Sequence, residues 1–380
     1  MKDDFTKTAT AGVLILLGLL FVDLLPGLME RSAGYQRLRT KSPILRAIEK
    51  VPGELQNGEL NAEDFDALAA GYYEGLRKDA GQVGLPGESD DVNFRADFLR
   101  YEFKPNVKRS YEAGMRITNS LGMPNPEYGY EKPPHTRRIA LLGDSISVGP
   151  YGHGYDALLE NRLNQVALTP EVERFQVLNF AVYGYSIVQS MDVALEKIPQ
   201  FHPDVYLVAL SSLEMMGRAG WRTHVGRLVV SKADLKYDYL RQVAAQAGVK
   251  PTDHLPRIKS KLAPFLTPVV HWALEQIRDH AAAEGAQMII AIVPAPIDPH
   301  LTDTQFDQLL PALAGIGVPV FDLRDTFRSA ANLDDLQVVP KSDIHPNVRG
   351  HEMILENLYA KLRTNPGAWT ALTGSTAPTH

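Results

Sequence analysis

The sequence contains no cysteine in 380 residues. Disulfides, thiolate catalysis and cysteine-based zinc sites are thereby excluded. The compartment stays open, because a cysteine-free chain is comfortable in an oxidising one. There is no clustered basic face either. The net charge is −6, with acidic and basic residues mixed throughout, so no nucleic-acid partner is expected. Internal repeats are absent. Gly143 and Gly149 are not followed by Gly-Lys-Ser/Thr, so they do not form a phosphate loop. His345 and His351 stand six apart, which fits no recurrent helical ligand pair, and neither a metal nor another cofactor is expected.

What is present is 44% hydrophobic residues, enough for one large domain with extensions. Thr8 to Val22 carries no charge, and apolar character continues past Asp23 to Met29. As a helix this stretch rises about 33 Å, against a hydrocarbon core of about 30 Å. "LMERSAG" offers no small-x-small cleavage site, so an uncleaved anchor is expected over a cleaved signal peptide. Asp23 would then lie near the interface. Arg31, Arg37, Arg39 and Lys41 outnumber Lys2 and Lys7, which read literally puts the C-terminal flank in the cytoplasm.

Four regions are expected: an anchor over 1–30, a mixed helical and extended region over 31–135, an α/β domain over 136–363 and a frayed tail over 364–380. "SPILRAIEKV" and "NAEDFDALAAGYYEGLRKDA" read as amphipathic helices, and "FLRYEFKPNVKRSYEAGMRITNSLG" as short strands. From Arg138 short apolar runs alternate with helical stretches. The runs are 138–142, 175–182, 204–210, 287–293 and 318–323. That spacing predicts βαβ units and a parallel sheet covered on both faces. The segment from Gly217 to Leu266 is too long for one crossover and reads as a functional loop or lid.

The stretch "IALLGDSISVGPYG" places Ser145 just past the first apolar run. In an open parallel sheet that is where ligands bind. Gly143 permits a tight turn, and a helix starting near Ser145 would aim backbone N–H groups at a developing anion. Alone, Gly-Asp-Ser reads equally well as a helix cap. A nucleophilic serine also needs a base. "KSDIHPN" places His345 near the other end, with Asp343 two residues upstream. In an extended segment these two side chains point the same way, so the carboxylate can orient the imidazole.

The two ends together resemble the SGNH, or GDSL, hydrolase family. "GDS" at 143–145, "NFAVYGYS" at 179–186 and "DIHPN" at 343–347 match its first, second and last blocks, and "TNSLGMPNPEYG" resembles the lead-in of membrane-anchored members. The resemblance covers Tyr111 to Leu362. It implies a flavodoxin-like three-layer α/β/α sandwich and ester hydrolysis or O-acyl transfer, often on carbohydrates. It also implies that Ser145 and Gly184 N–H groups bind the oxyanion and that Asp144 is structural. Because anchored members often face the extracytoplasmic side, a periplasmic catalytic domain is expected despite the flanking charges.

The sequence departs from the family at two places. Asp343 sits two residues before the histidine rather than three, as in the alginate O-acetyltransferase branch. In the third block, usually Gly-x-Asn-Asp, Ser211 replaces the glycine and Leu213 the asparagine that donates to the oxyanion. Losing one such donor costs about 100- to 1,000-fold in rate. Ser211 or Ser212 hydroxyl is a candidate substitute. His153 is a candidate pocket residue or a surface histidine; Trp221 with Arg218 and Arg222 is a candidate sugar contact or a packed tryptophan among solvated arginines. The expected function is a serine esterase acting on a short, in particular acetyl, ester. The alternatives are an O-acyltransferase for a cell-envelope polysaccharide and an inactive binding module.

Overall fold

The computed structural model describes residues 91–375 apart from 112–113, 216–219 and 342. The expected anchor and the two amphipathic helices after it lie outside the described residues. Among the described residues no helix is long and apolar enough to cross a membrane.

The centre is a parallel sheet of five strands. In chain order, β1 (Val92–Phe94) pairs with β2 (Tyr101–Phe103), and β3 (Lys108–Tyr111) with β4 (Gly114–Ile117), both antiparallel. Then come the central strands β5 (Thr136–Leu142), β6 (Arg174–Asn179), β7 (Val205–Ser211), β8 (Gln287–Val293) and β9 (Val320–Asp322). Their spatial order is β6-β5-β7-β8-β9, all parallel. The register aligns Ile139 with Val177 on one side and with Val205 on the other. Each strand falls on one of the five apolar runs, as expected of strands buried on both faces. The chain steps from β5 to β6, then crosses back to β7. The carboxyl end of β5 is therefore the switch point of the sheet, where such folds form their binding crevice.

One face of the sheet, with Ala140, Leu142, Leu178, Val208, Leu210, Ile290 and Ile292, merges into a continuous core. That core includes α3 (Ile187–Glu196), α4 (Trp221–Val230), α5 (Asp238–Gln246), α6 (Leu255–Leu262) and α7 (Leu266–Ala283). Alternate residues such as Ile139, Leu141, Val177 and Leu207 are equally buried on the opposite face. There α2 (Tyr155–Val166) packs on β6, and α9 (Val348–Arg363) packs on α2 and β9. The expected three-layer sandwich is thus present.

Two expectations change. The segment after β7 is not an open lid: α4, α5 and α6 bury Trp221, Val225, Leu228, Leu240, Val243, Ile258 and Leu262 in the core. Its apolar residues at helical spacing give it a face to bury. Nor is the region after residue 363 frayed throughout. Pro366–Thr373 forms α10, with Asn365 accepting from Ala368 N–H at 3.0 Å, Gly374 closing it in the left-handed region, and Trp369 buried. A cap, a proline in the first turn and one large apolar anchor suffice for a helix that low-complexity composition hides.

The lead-in to β5 braces the sheet at the edge strand β6 and at the start of β5. Asn125 supplies both halves of a ladder to the edge strand β6: its Oδ1 accepts from Asn179 N–H at 2.5 Å, and its Nδ2 donates to the Val177 carbonyl at 3.2 Å. Arg138 is buried, and its guanidinium donates to four backbone carbonyls, those of Gly129, Tyr130, Glu131 and Phe201.

Candidate active site

The turn after β5 is built by two small features. A Cβ on Gly143 would lie 2.5 Å from Ser147 Oγ, so only glycine lets the backbone pass this close. Asp144 then caps α1 (Ser145–Val148), its Oδ1 accepting from Ile146 N–H at 2.9 Å. The cap is thus Asp144, which frees Ser145 to project from the first position of the helix.

The second piece is β11 (Asp343–Pro346), paired antiparallel with β10 (Gln337–Val339). Asn347 caps α9 by accepting from Gly350 N–H at 3.1 Å. Extended backbone puts Asp343 and His345 on one side, as expected from their spacing. Asp343 Oδ1 lies 2.5 Å from His345 Nδ1 and also accepts from His345 N–H at 3.0 Å. His345 Nε2 lies 2.7 Å from Ser145 Oγ across 200 residues of sequence. The side chains of all three are buried. With Nδ1–H donated to the carboxylate, Nε2 is left as the acceptor for the serine proton. This line can deprotonate the hydroxyl and stabilise the imidazolium that results.

Gly184 sits in the turn between β6 and α3 with φ of +62°, in the left-handed region. The groups around it are tied down. Tyr101 OH donates to the Tyr183 carbonyl at 2.7 Å, and Tyr185 OH to the Tyr101 carbonyl at 2.5 Å. Ser186 N–H donates to Gln189 Oε1 at 3.1 Å. Asn179 joins this block to the nucleophile's helix: its Nδ2 donates to the Ser147 carbonyl at 2.8 Å and to Asp156 Oδ2 at 2.9 Å.

The other expected residues divide. Asp144 Oδ2 accepts from the Ser211 hydroxyl, and Ser211 Oγ accepts from Leu213 N–H at 3.1 Å. The Ser211 proton is therefore spent on Asp144, and the idea of that hydroxyl as an oxyanion donor is corrected. Burial pushes the Asp144 carboxyl up to about 6, against the Ser211 and Ile146 hydrogen bonds and the nearby His345. Ser212 and Leu213 are buried in the one-turn helix that follows β7. His153 is exposed on the loop before α2. Trp221 is fully buried, which agrees with the packed reading; Arg218 lies outside the described residues.

Four supporting residues were not legible beforehand: Asn125, Asn179, Asp156 and Glu214. Asn179 lies inside the matched second block, so its motif was visible though its partners were not. His351 is buried, accepts from Tyr155 N–H at 3.3 Å and is held neutral, its pKa lowered to about 3 by burial and by His345. Among the described residues no cluster of histidine and carboxylate side chains could hold a metal ion.

The sequence profile of the GDSL-like Lipase/Acylhydrolase family matches residues 141–353. No curated protein matches the sequence. Among solved structures, a catalytic mutant of Axe2, an acetylxylan esterase from Geobacillus stearothermophilus, aligns at 16% identity and TM-score 0.39, over 60% of this chain and 94% of that one. The psychrotrophic esterase EstA from Pseudoalteromonas sp. aligns at 13% identity and TM-score 0.36, over 60% and 97%. A lipase/acylhydrolase from Enterococcus faecalis aligns at 14% identity and TM-score 0.37, over 60% and 95%.

Proposed function

Because this chain belongs to the GDSL-like lipase/acylhydrolase family and is an ester-hydrolysing enzyme, we propose that it cleaves a short O-acyl ester, in particular an O-acetyl ester on a carbohydrate, with Ser145 as nucleophile. His345 accepts the Ser145 proton as Oγ attacks the carbonyl, then gives it to the departing alkoxide. Asp343 orients the ring and stabilises its charged form. The Ser145 and Gly184 N–H groups bind the oxyanion. A water, deprotonated by His345, then attacks the acyl-enzyme; the acid leaves and Ser145 regains its proton. The observation that carries this reading is the hydrogen-bonded line from Ser145 through His345 to Asp343, with its 2.7 Å first step.

On this reading Leu213 leaves the oxyanion to two backbone donors and lowers the ceiling on rate. The apolar stretch at 8–29 supports tethering to a membrane, with the catalytic domain on the extracytoplasmic side. Hydrolysis of an aryl acetate by wild type and by Ser145→Ala tests the chemistry. Loss of turnover in the variant is expected, and full turnover without the hydroxyl contradicts the mechanism. Offering an acylated xylan or cell-envelope glycan and measuring acetate release tests the substrate class. Acyl groups moved to an added glycan instead of to water point to the transferase. Fractionation of the full chain with and without residues 1–30 tests the tether.

A further inference from the structure

Glu214 is a buried carboxylate that the triad does not use. It stands in the turn after β7, next to Leu213. Its Oε2 accepts from Ile187 N–H at 2.9 Å and its Oε1 from Trp221 N–H at 2.6 Å. These are the first residues of α3 and α4, so one side chain ties together two helix N-termini and the end of a central strand. Each of those N–H groups lacks a partner within its own helix, and each helix end favours a negative charge. The backbone of Gly220 also packs on this turn: a Cβ there would lie 2.3 Å from the Glu214 carbonyl oxygen.

Ile187 is three residues past Gly184. The Tyr183 carbonyl, the Tyr185 hydroxyl and the Ser186 N–H are each held by another group, and Glu214 holds the next N–H in line. Among the described residues, Gly184 N–H is the one amide from 184 to 187 that donates to no protein group.

We propose that Glu214 is a positioning residue for ester hydrolysis: its carboxylate pins the start of α3 to the end of β7 and so fixes the direction of the Gly184 N–H toward the oxyanion. This rests on the reading of Gly184 as an oxyanion donor. It gains weight from Leu213, because a site without the asparagine donor depends more heavily on where its backbone donors point.

Protonation removes the positioning. A neutral carboxyl cannot accept equally from two N–H groups, since its O–H oxygen is the weaker acceptor. Burial pushes Glu214 up to about 7, with Asp144 raising it further and the two N–H groups and Arg222 opposing. The neighbouring elements add little charge. The inward side chains of α8 (Pro299–Asp307), which packs on this turn, are Thr302, Gln305 and Phe306; those of the first turn of α3 are Ile187, Val188, Gln189 and Ser190. His224 on α4 is buried and neutral, its pKa lowered to about 3.

The test compares wild type, Glu214→Gln and Glu214→Asp on p-nitrophenyl acetate across the pH range. At about pH 8, kcat of Glu214→Gln falls roughly 10- to 100-fold with KM within about 2-fold, as expected for a misaligned oxyanion donor. The amide mimics the protonated acid. The ratio of wild type to variant therefore shrinks toward about 1 below about pH 6, where wild type is itself protonated, and losses common to both proteins cancel in the ratio. Glu214→Asp keeps the charge but is too short to reach both N–H groups; it loses less and keeps the pH-dependent ratio, and it carries the test should the Gln variant not fold. A ratio near 1 at pH 8, or a loss of constant size at all pH values, overturns the proposal. A wild type inert toward both the ester and a fluorophosphonate removes the esterase reading and this one with it; an active wild type with an unaltered variant removes this one alone.

Discussion

The turn after β5 and the turn after β7 leave neighbouring strands, and each buries a carboxylate that caps backbone N–H groups, yet only the first presents a reactive side chain. At the β5 end, Asp144 caps Ile146 and Ser145 projects toward His345. At the β7 end, Glu214 caps Ile187 and Trp221, while Leu213 occupies the place where the resembled family has a donor. The two are bridged by the Ser211 hydroxyl, which donates to Asp144 and accepts from Leu213. The first turn delivers a hydroxyl to the imidazole, and the second spends its carboxylate on the backbone N–H groups of two helices. The carboxylate stays where charge-assisted hydrogen bonds to backbone N–H groups offset its burial.

Mutations at the two turns sharpen this contrast. Ser145→Ala removes the nucleophile, and kcat on an aryl acetate falls by at least about 10,000-fold. Asp343→Asn keeps the shape but favours the wrong imidazole tautomer, and kcat falls about 1,000- to 10,000-fold while KM holds. Leu213→Asn runs the other way. It offers a side-chain donor beside the two backbone ones, and kcat rises about 10-fold; a rise confined to KM places residue 213 away from the oxyanion. Ser211→Ala cuts the bridge and leaves Leu213 N–H and one Asp144 oxygen without their partner. Thermal or urea unfolding reads a loss of about 1–3 kcal/mol, with only a few-fold effect on rate. His153→Ala, at an exposed position, leaves kcat and stability within about 2-fold and 0.5 kcal/mol of wild type.

Much of the fold was legible because both faces of the sheet are covered. A doubly buried strand needs a nearly unbroken apolar run, and all five runs became strands. The helical stretch expected between the first two runs is found over Tyr155–Val166. The site was legible where chemistry forces local spacing: Asp343 and His345 must share one side of an extended segment. Glu214 and Asn179 were harder, because their partners are backbone groups far along the chain, and sequence carries no record of which N–H a carboxylate will meet. The C-terminal helix was hidden for a related reason: Trp369 anchors it through a buried contact, and composition alone gave no sign of what would cover that ring.

Intact-mass analysis after brief exposure to a fluorophosphonate, followed by peptide mapping, addresses the triad most directly. The account predicts a single adduct on Ser145 in the wild-type chain and essentially none in His345→Ala, because the hydroxyl depends on that imidazole to become a nucleophile. An adduct on another residue, or labelling of Ser145 at the wild-type rate without His345, contradicts it.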